Sequence, residues 1–502
     1  MEVENASIRA LSYTIEIPLF FLPETLVTQA QHSVPVVENS EQYVDEQKKT
    51  SINPQRLKGF RDLMPAAMSV RQHVINTLRG IFELHGFAPL ETPSLEYAAT
   101  LEGKYGDEER LIYKFEDKGG RKVGMRYDLT VPLARVVAMH LNELQFPWKR
   151  YQISPVWRGE NPQYGRYREF YQCDVDIVGS ASMIADAEIL SIYGEAMRKL
   201  GFTGYRVLLN HRKLMSGLAL HAGVPPENAG TIFRAIDKLD KIGPDGVRAE
   251  MVRNGIAEEV ASKALDLFLS GGGVRSFSDN AGLLGELAGP LKGDPEATRG
   301  LEELGQILNA LSGMGIAGDD LDRYKVDLTL ARGLDYYTGA VYEIVVDEPK
   351  IGSLGGGGRY DELMSIFSGR NLPTTGGSFG MERIVDVIVE LGLFSPTVTP
   401  SRALITVFDA SPASVGESLK LAADLRAHDI PCEVYLNPGD KLGKQFGYAD
   451  KLGIPFAVVL GPDEIASGTA TVKDMKAPPP NQRTVGRDQL VRILGGMEEH
   501  PG

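Results

Sequence analysis

The chain has 502 residues, 43% of them hydrophobic and 24% charged, with 53 Lys+Arg against 67 Asp+Glu and a formal net charge of -14. This length accommodates two or three domains with sizeable cores, while the acidity excludes nucleic-acid binding driven by bulk positive charge, though not a local basic surface that grips one RNA. Cys173 and Cys432 are the only cysteines, which argues against a disulfide framework or a Cys-based zinc site and for ordinary thiols in a reducing cytoplasm.

Residues 1–52 are polar, acidic and aperiodic, and are expected to form a disordered extension. The apolar stretch Ile17–Pro23 inside them is short, bracketed by prolines and preceded by glutamates, so it matches neither a signal nor a transit peptide. No apolar run in the chain approaches the ~20 residues needed to span a bilayer. A cytoplasmic protein without membrane contact is the expectation.

Periodic structure begins at Lys58–Asp62. Val70, Val74, Ile75, Leu78, Ile81 and Phe82 then fall on one helical stripe, which Gly86 ends. An extended segment follows through Pro89 and Pro93. From Tyr113 to Gly179, short alternating segments predict an antiparallel sheet. Within it, Val156–Glu160 and Arg166–Phe170 flank a Pro/Gly turn and predict a hairpin. Period-two spacing puts Arg158 and Glu160 on one face, and Arg166, Arg168 and Phe170 on one face of the return strand. Three arginines and a glutamate around a turn can hold a polyphosphate by bidentate hydrogen bonds. A solvated, salt-bridged hairpin has the same composition. Farther along the return strand, Gln172, Asp174 and Asp176 share one face and Cys173, Val175 and Ile177 the other. That pattern suits the floor of a cleft, or the solvent face of an ordinary sheet.

Residues 206–324 have helical spacing, broken at Gly271–Gly273, and predict a helical insertion. Strand signals resume from Val326 to Val346. Leu330–Gly339 places an arginine and a glycine before the paired Tyr336 and Tyr337, a set that fits a small polar ligand or an aromatic core. Gly355–Asp361 and Gly376–Arg383 are glycine-dense, allowing close backbone approach to a ligand or simply loose turns. After them Ile384, Val387, Ile388 and Leu391 form a helix stripe, with Arg383 off it and Asp386 within ion-pair spacing. Pro396–Pro400 is a joint. Beyond it, Ala403–Phe408, Gly416–His428, Cys432–Leu436, Lys441–Leu452 and Phe456–Leu460 alternate strand and helix, predicting a small α/β domain with a largely parallel sheet. Pro478–Pro480 is a loop.

No P-loop, GxSxG, HExxH or dinucleotide glycine motif occurs, the eight histidines are scattered, and no covalent nucleophile is indicated. Taken in order, the segments closely resemble the class II aminoacyl-tRNA synthetases, and within them the histidyl-tRNA synthetase family. Gly59–Pro93 is similar to class II motif 1, Trp157–Glu160 with its loop and return strand to motif 2, and Gly377–Arg383 with its helix to motif 3. Arg332–Tyr337, Gly357–Asp361 and Met125–Thr130 resemble segments peculiar to the histidine enzyme, with Asp128 where other members carry glutamate. Trp157 stands where phenylalanine or tyrosine is more usual.

The resemblance implies an α+β catalytic domain over 53–395, built on an antiparallel sheet flanked by helices and carrying the insertion, followed by an α/β anticodon-binding domain over 401–502. It implies activation of L-histidine with ATP and Mg²⁺, then transfer to tRNA(His), by a homodimer. Arg332 and Arg158 would be the catalytic residues. Asp128, Leu129, Thr130, Arg158, Gln172, Asp176, Arg332, Tyr336 and Tyr337 would hold histidine. Arg158, Glu160, Arg166, Arg332 and Arg383 would hold ATP, and no side-chain ligand of Mg²⁺ is assigned. From Ser401 onward the chain has 11 Lys+Arg against 13 Asp+Glu. RNA binding there would therefore rest on a few placed groups such as Lys441, Lys444 and Lys451. A synthetase-like regulatory subunit of ATP phosphoribosyltransferase is the main alternative. It usually lacks the anticodon-binding domain and parts of the active-site set, whereas both are represented here.

Overall fold

The computed structural model describes residues 53–495 apart from 274–275 and 332–335. The expected N-terminal extension and Arg332 therefore lie outside the described residues. The described residues from Arg56 onward form one compact unit.

The first helix, Pro65–Leu84, starts with proline at a position that needs no intrahelical N–H donor, and ends at Gly86 in left-handed conformation. Its stripe Val70, Val74, Leu78, Ile81 and Phe82 is almost completely buried. That stripe packs against the helices Met183–Lys199 and Met381–Glu390. Eleven strands follow in this part of the chain. They are β1 (Ala88–Pro89), β2 (Leu95–Tyr97), β3 (Lys114–Glu116), β4 (Lys122–Met125), β5 (Trp148–Trp157) and β6 (Glu169–Val178). Then come β7 (Tyr205–His211), β8 (Tyr324–Val326), β9 (Ala340–Val346), β10 (Gly355–Arg359) and β11 (Thr374–Gly380). Strands β2, β4 and β3 make a small antiparallel sheet. The main sheet has eight strands in the order β1-β5-β6-β11-β10-β9-β7-β8. Its interior pairs are antiparallel, and the short edge strands β1 and β8 pair in parallel. Cys173, Val175 and Ile177 point from β6 into the principal core. Gln172, Asp174 and Asp176 take the opposite face.

Three differences from the sequence expectation have local causes. The strands of the predicted hairpin end at Trp157 and restart at Glu169, so Arg158, Glu160, Arg166 and Arg168 lie in the connection rather than on paired strands. Pro162 and Gly165 interrupt the ladder, leaving one bridge, Gln163 to Arg166, inside it. Thr130–Met139, within the segment expected to be sheet, is a helix. Its β-branched residues mimic a strand, but Pro132 sits in the first turn, where its missing N–H costs nothing. Finally, the segment 206–324 opens and closes with strand. β7 alternates buried Val207 and Leu209 with half-buried neighbours, and the helices begin only at Arg212. The predicted break at Gly271–Gly273 falls in a 3₁₀ turn, Ser270–Gly273.

The C-terminal region forms a second sheet from β12 (Ala403–Ile405), β13 (Cys432–Val434), β14 (Phe456–Val459), β15 (Thr469–Asp474) and β16 (Gln482–Gly486). Its order is β13-β12-β14-β15-β16. The first three strands are parallel as expected, while β15 and β16 add an antiparallel hairpin whose loop carries Pro478–Pro480. Leu421, Leu425, Val458 and Leu490 fill its core. Among the described residues, no helix is long and apolar enough to cross a membrane.

Candidate active site

Register brings the separate motifs to one end of the main sheet. Trp157 at the end of β5 pairs with Glu169 at the start of β6, and Gly380 at the end of β11 pairs with Gln172. Phe379 also faces Gly355 at the start of β10. Arg158 and Arg383 therefore leave the sheet at the same end. Arg158 donates from Nε to the Tyr127 carbonyl at 3.1 Å. Its guanidinium lies 4.3 Å from the Tyr127 ring centroid and 5.1 Å from that of Phe170. Two aromatic faces and a backbone anchor hold a planar cation that is charged at any relevant pH. Arg383 donates to the Ser353 carbonyl at 2.7 Å, which anchors it on the turn before β10. Its stem passes Gly165, whose φ of +68° favours glycine and where a side chain would press on the Arg383 stem. The connection after β5 thus folds over Arg383. Within it, Glu160 accepts from Arg166 at 3.1 Å and its carbonyl accepts from Arg168 at 3.0 Å. Arg166 is half exposed and still free to turn toward a ligand.

Asp128, Leu129 and Thr130 open the helix beside Arg158. The buried Asp128 carboxylate accepts from the Tyr105 hydroxyl at 2.9 Å and the Val131 N–H at 3.1 Å. Burial pushes its pKa up despite these donors. The Leu129 side chain is fully buried, which leaves only its backbone for a ligand. Thr130 hydrogen-bonds Tyr336. Tyr336 lies against Tyr337 at 4.9 Å between ring centroids and meets the edge of Tyr360 at 5.9 Å. Tyr360 donates its hydroxyl to Asp176, and Gln172 donates to Ser378 at 3.1 Å. Arg158, held on Tyr127, is felt electrostatically by the adjacent Asp128, and contacts then join Thr130, Tyr336, Tyr360 and Asp176.

Arg150 is the principal residue that the sequence did not expose. It sits directly opposite Asp176 on β5, fully buried, and pairs with it at 2.7 Å. Tyr105 and Tyr360 also emerge only from the fold. A usable signal was present for Arg150: Arg150, Gln152 and Ser154 alternate with Tyr151, Ile153 and Pro155, in the same rhythm as Gln172, Asp174 and Asp176. Gly376 supplies the necessary space, because a Cβ there would land on the Asp176 carboxyl. Among the described residues, no group of three or more His, Cys, Asp or Glu side chains could hold a metal ion.

A site with fixed cations at the sheet end and acidic groups on its floor can bind a polyphosphate next to a small cationic or N–H-rich molecule. Comparisons with known proteins bear on the family of the chain. Residues 59–384 match the family model described as histidyl-tRNA synthetase, and residues 403–496 match the anticodon binding domain model. A histidine--tRNA ligase of Rhodopirellula baltica is 42% identical over 427 residues, covering 84% of this chain and 94% of the relative. That of Christiangramia forsetii is 41% identical over 444 residues, covering 84% and 95%. The crystal structure of histidyl-tRNA synthetase from Nostoc sp. PCC 7120 superposes with a TM-score of 0.80 at 30% identity, covering 89% of this chain and all of that one. A Bacillus halodurans protein described as an ATP phosphoribosyltransferase regulatory subunit/histidyl-tRNA synthetase shares the fold, with a TM-score of 0.65 at 23% identity over 78% of this chain and 96% of that one.

Proposed function

The chain belongs to the histidyl-tRNA synthetase family and acts as an ATP-dependent histidine--tRNA ligase, and from this premise we propose how its residues divide the work. The carboxylate of histidine attacks the α-phosphorus of ATP in line, pyrophosphate leaves, and the terminal ribose hydroxyl of tRNA(His) then attacks the adenylate. Neither step needs a protein nucleophile. Both need alignment and neutralisation of phosphate charge.

Arg158 lies against the α-phosphate and the substrate carboxylate, and Arg332 is the second cation assigned to that step. Arg383 and Arg166 take the terminal phosphates, and Glu160 lies beside the nucleotide. Mg²⁺ enters as the counter-ion of the ATP phosphates. Asp128, the Leu129 backbone, Thr130 and Gln172 receive the substrate ammonium. Tyr336, Tyr337 and Asp176 enclose the imidazole, and a pocket that leaves buried acceptors unpaired with any other side chain can discriminate by ~10⁴-fold. The single observation that carries this reading is Arg158 clamped between Tyr127 and Phe170 beside the buried Asp128. One cation and one anion, fixed next to each other, fit the carboxylate and ammonium of an amino acid.

We also propose a homodimer in the cytoplasm. Exposed Leu95, Tyr97 and Phe115 on the small sheet, with Met139 exposed on the helix after it, support an apolar partner surface following the motif 1 segment. Two free, buried cysteines fit a reducing compartment. The test of function is charging of tRNA(His): labelled histidine should become acid-precipitable with ATP present, and the other amino acids should stay at background. Equal charging by another amino acid would overturn the reading.

A further inference from the structure

Asp176 alone makes an incomplete acceptor for the substrate ring. Tyr360 donates to its Oδ1, while its Oδ2 lies 2.7 Å from Arg150 as an ion pair without a hydrogen bond. Two residues earlier on the same face of β6, Asp174 is equally buried, 3% exposed, and its Oδ1 has no hydrogen-bond partner. A carboxylate oxygen withdrawn from water and left unpaired carries a large desolvation cost, so such an atom marks a place where a donor arrives from outside. Resting on the assignment of this cleft to histidine, we propose that Asp174 is a specificity residue of the pocket, accepting an imidazole N–H of the substrate alongside Asp176.

The surroundings fit that role. Gln152 lies opposite Asp174 on β5 and spends its amide N–H on Thr92 and Ser154. Ser378 lies opposite on β11 and hydrogen-bonds Asp174. Asp128 comes from the segment before the Thr130 helix and Tyr336 from the aromatic wall, both close enough to be felt electrostatically. Arg150 is the cation nearest the two carboxylates, and it is already paired with Asp176. Asp174 is therefore the excess negative charge on the pocket floor. Burial and then the neighbouring Asp176 push its pKa up to about 7. The free pocket thus gains and loses this acceptor within the neutral range, and an arriving N–H favours the ionised form.

Asp174→Asn removes the charge at almost constant volume, and Asp174→Glu keeps the charge but moves it. Steady-state pyrophosphate exchange by the full chain should show the histidine KM raised about 10-fold or more in Asp174→Asn, with the ATP KM changed by no more than about twofold. In the unsubstituted chain, the histidine KM should rise as pH falls through about 7, as protonation removes the acceptor. Asp174→Asn should lack that limb, while the titration of free histidine, near about 6.5, affects both proteins alike. An unchanged histidine KM and an unchanged pH profile in Asp174→Asn would overturn the proposal. Should that variant not fold, an unchanged histidine KM in Asp174→Glu, or a flat profile in the unsubstituted chain, would do the same. A chain that shows no histidine-dependent exchange at all would instead sink the assignment of the cleft.

Discussion

Arg158 is half-buried and Arg150 fully buried, and the two guanidinium groups do different jobs. Arg158 is braced by two aromatic rings and one carbonyl, leaving its N–H edge for a ligand. Replacing it by lysine removes the planar fork and the stacking, and kcat for adenylation should drop by ~10²–10³, with histidine still bound; a drop under tenfold would remove it from the reaction. Arg150, close enough to Asp174 and Tyr360 to act on them, is paired in the interior with the Asp176 carboxylate. Arg150→Met leaves that carboxylate buried without its cation and should destabilise the fold by about 3–5 kcal/mol, measured by urea unfolding at neutral pH. The difference between them explains what was legible in the sequence. Arg158 stands in a dense motif next to a turn, where unusual residues crowd together. Arg150 is one polar residue in a strand, and its importance depends on which strand lies beside it.

Among the elements, those with a single strong period were legible: the helix Pro65–Leu84, the strand floor Gln172–Asp176 and the helix after Gly380. The Thr130–Met139 helix was not, because its composition favours strand and its start is set by Asp128 accepting the Val131 N–H, a contact invisible without the fold. Junctions between elements carry their own test. His85, just after the first helix, lies between Glu188 and Glu195 of the helix Met183–Lys199, at 3.5 and 3.0 Å. The hydrogen bond to Glu188 outweighs burial and raises its pKa. A raised value in the folded state means stabilisation fully present below the ordinary value of about 6.5 and lost as pH rises through the folded value. Urea midpoints of the parent and of His85→Gln should therefore differ more at pH 6 than at pH 9; a gap independent of pH would contradict this. At the sheet centre, Gly376→Ala forces a methyl group against the Asp176 carboxyl. The histidine KM should rise by at least about tenfold, in line with the sensitivity of a reaction to small misplacements. Normal kinetics would show that the carboxyl can move aside freely.

At the scale of the whole molecule, the proposed division gives activation to the region before Pro396–Pro400 and RNA selection to the region after it. The order of the two regions was legible from the change of pattern at Pro396–Pro400, while the β15–β16 hairpin that completes the second sheet was hidden by its short, polar strands. Lys444, one of the groups singled out for RNA contact, is paired with Asp440 at 2.8 Å, so any grip on RNA there depends on breaking a surface ion pair worth little in water. A chain ending at Pro400 should keep adenylate formation within about tenfold and lose charging of tRNA(His), because the cleft draws on residues before that joint. The central claim is that one cleft both recognises histidine and uses its carboxylate to attack ATP, and the most direct measurement is exchange of labelled pyrophosphate into ATP with each amino acid in turn. Histidine alone should drive the exchange. Histidine binding with no exchange above background would leave a sensor of the amino acid in place of an enzyme, and would contradict the account.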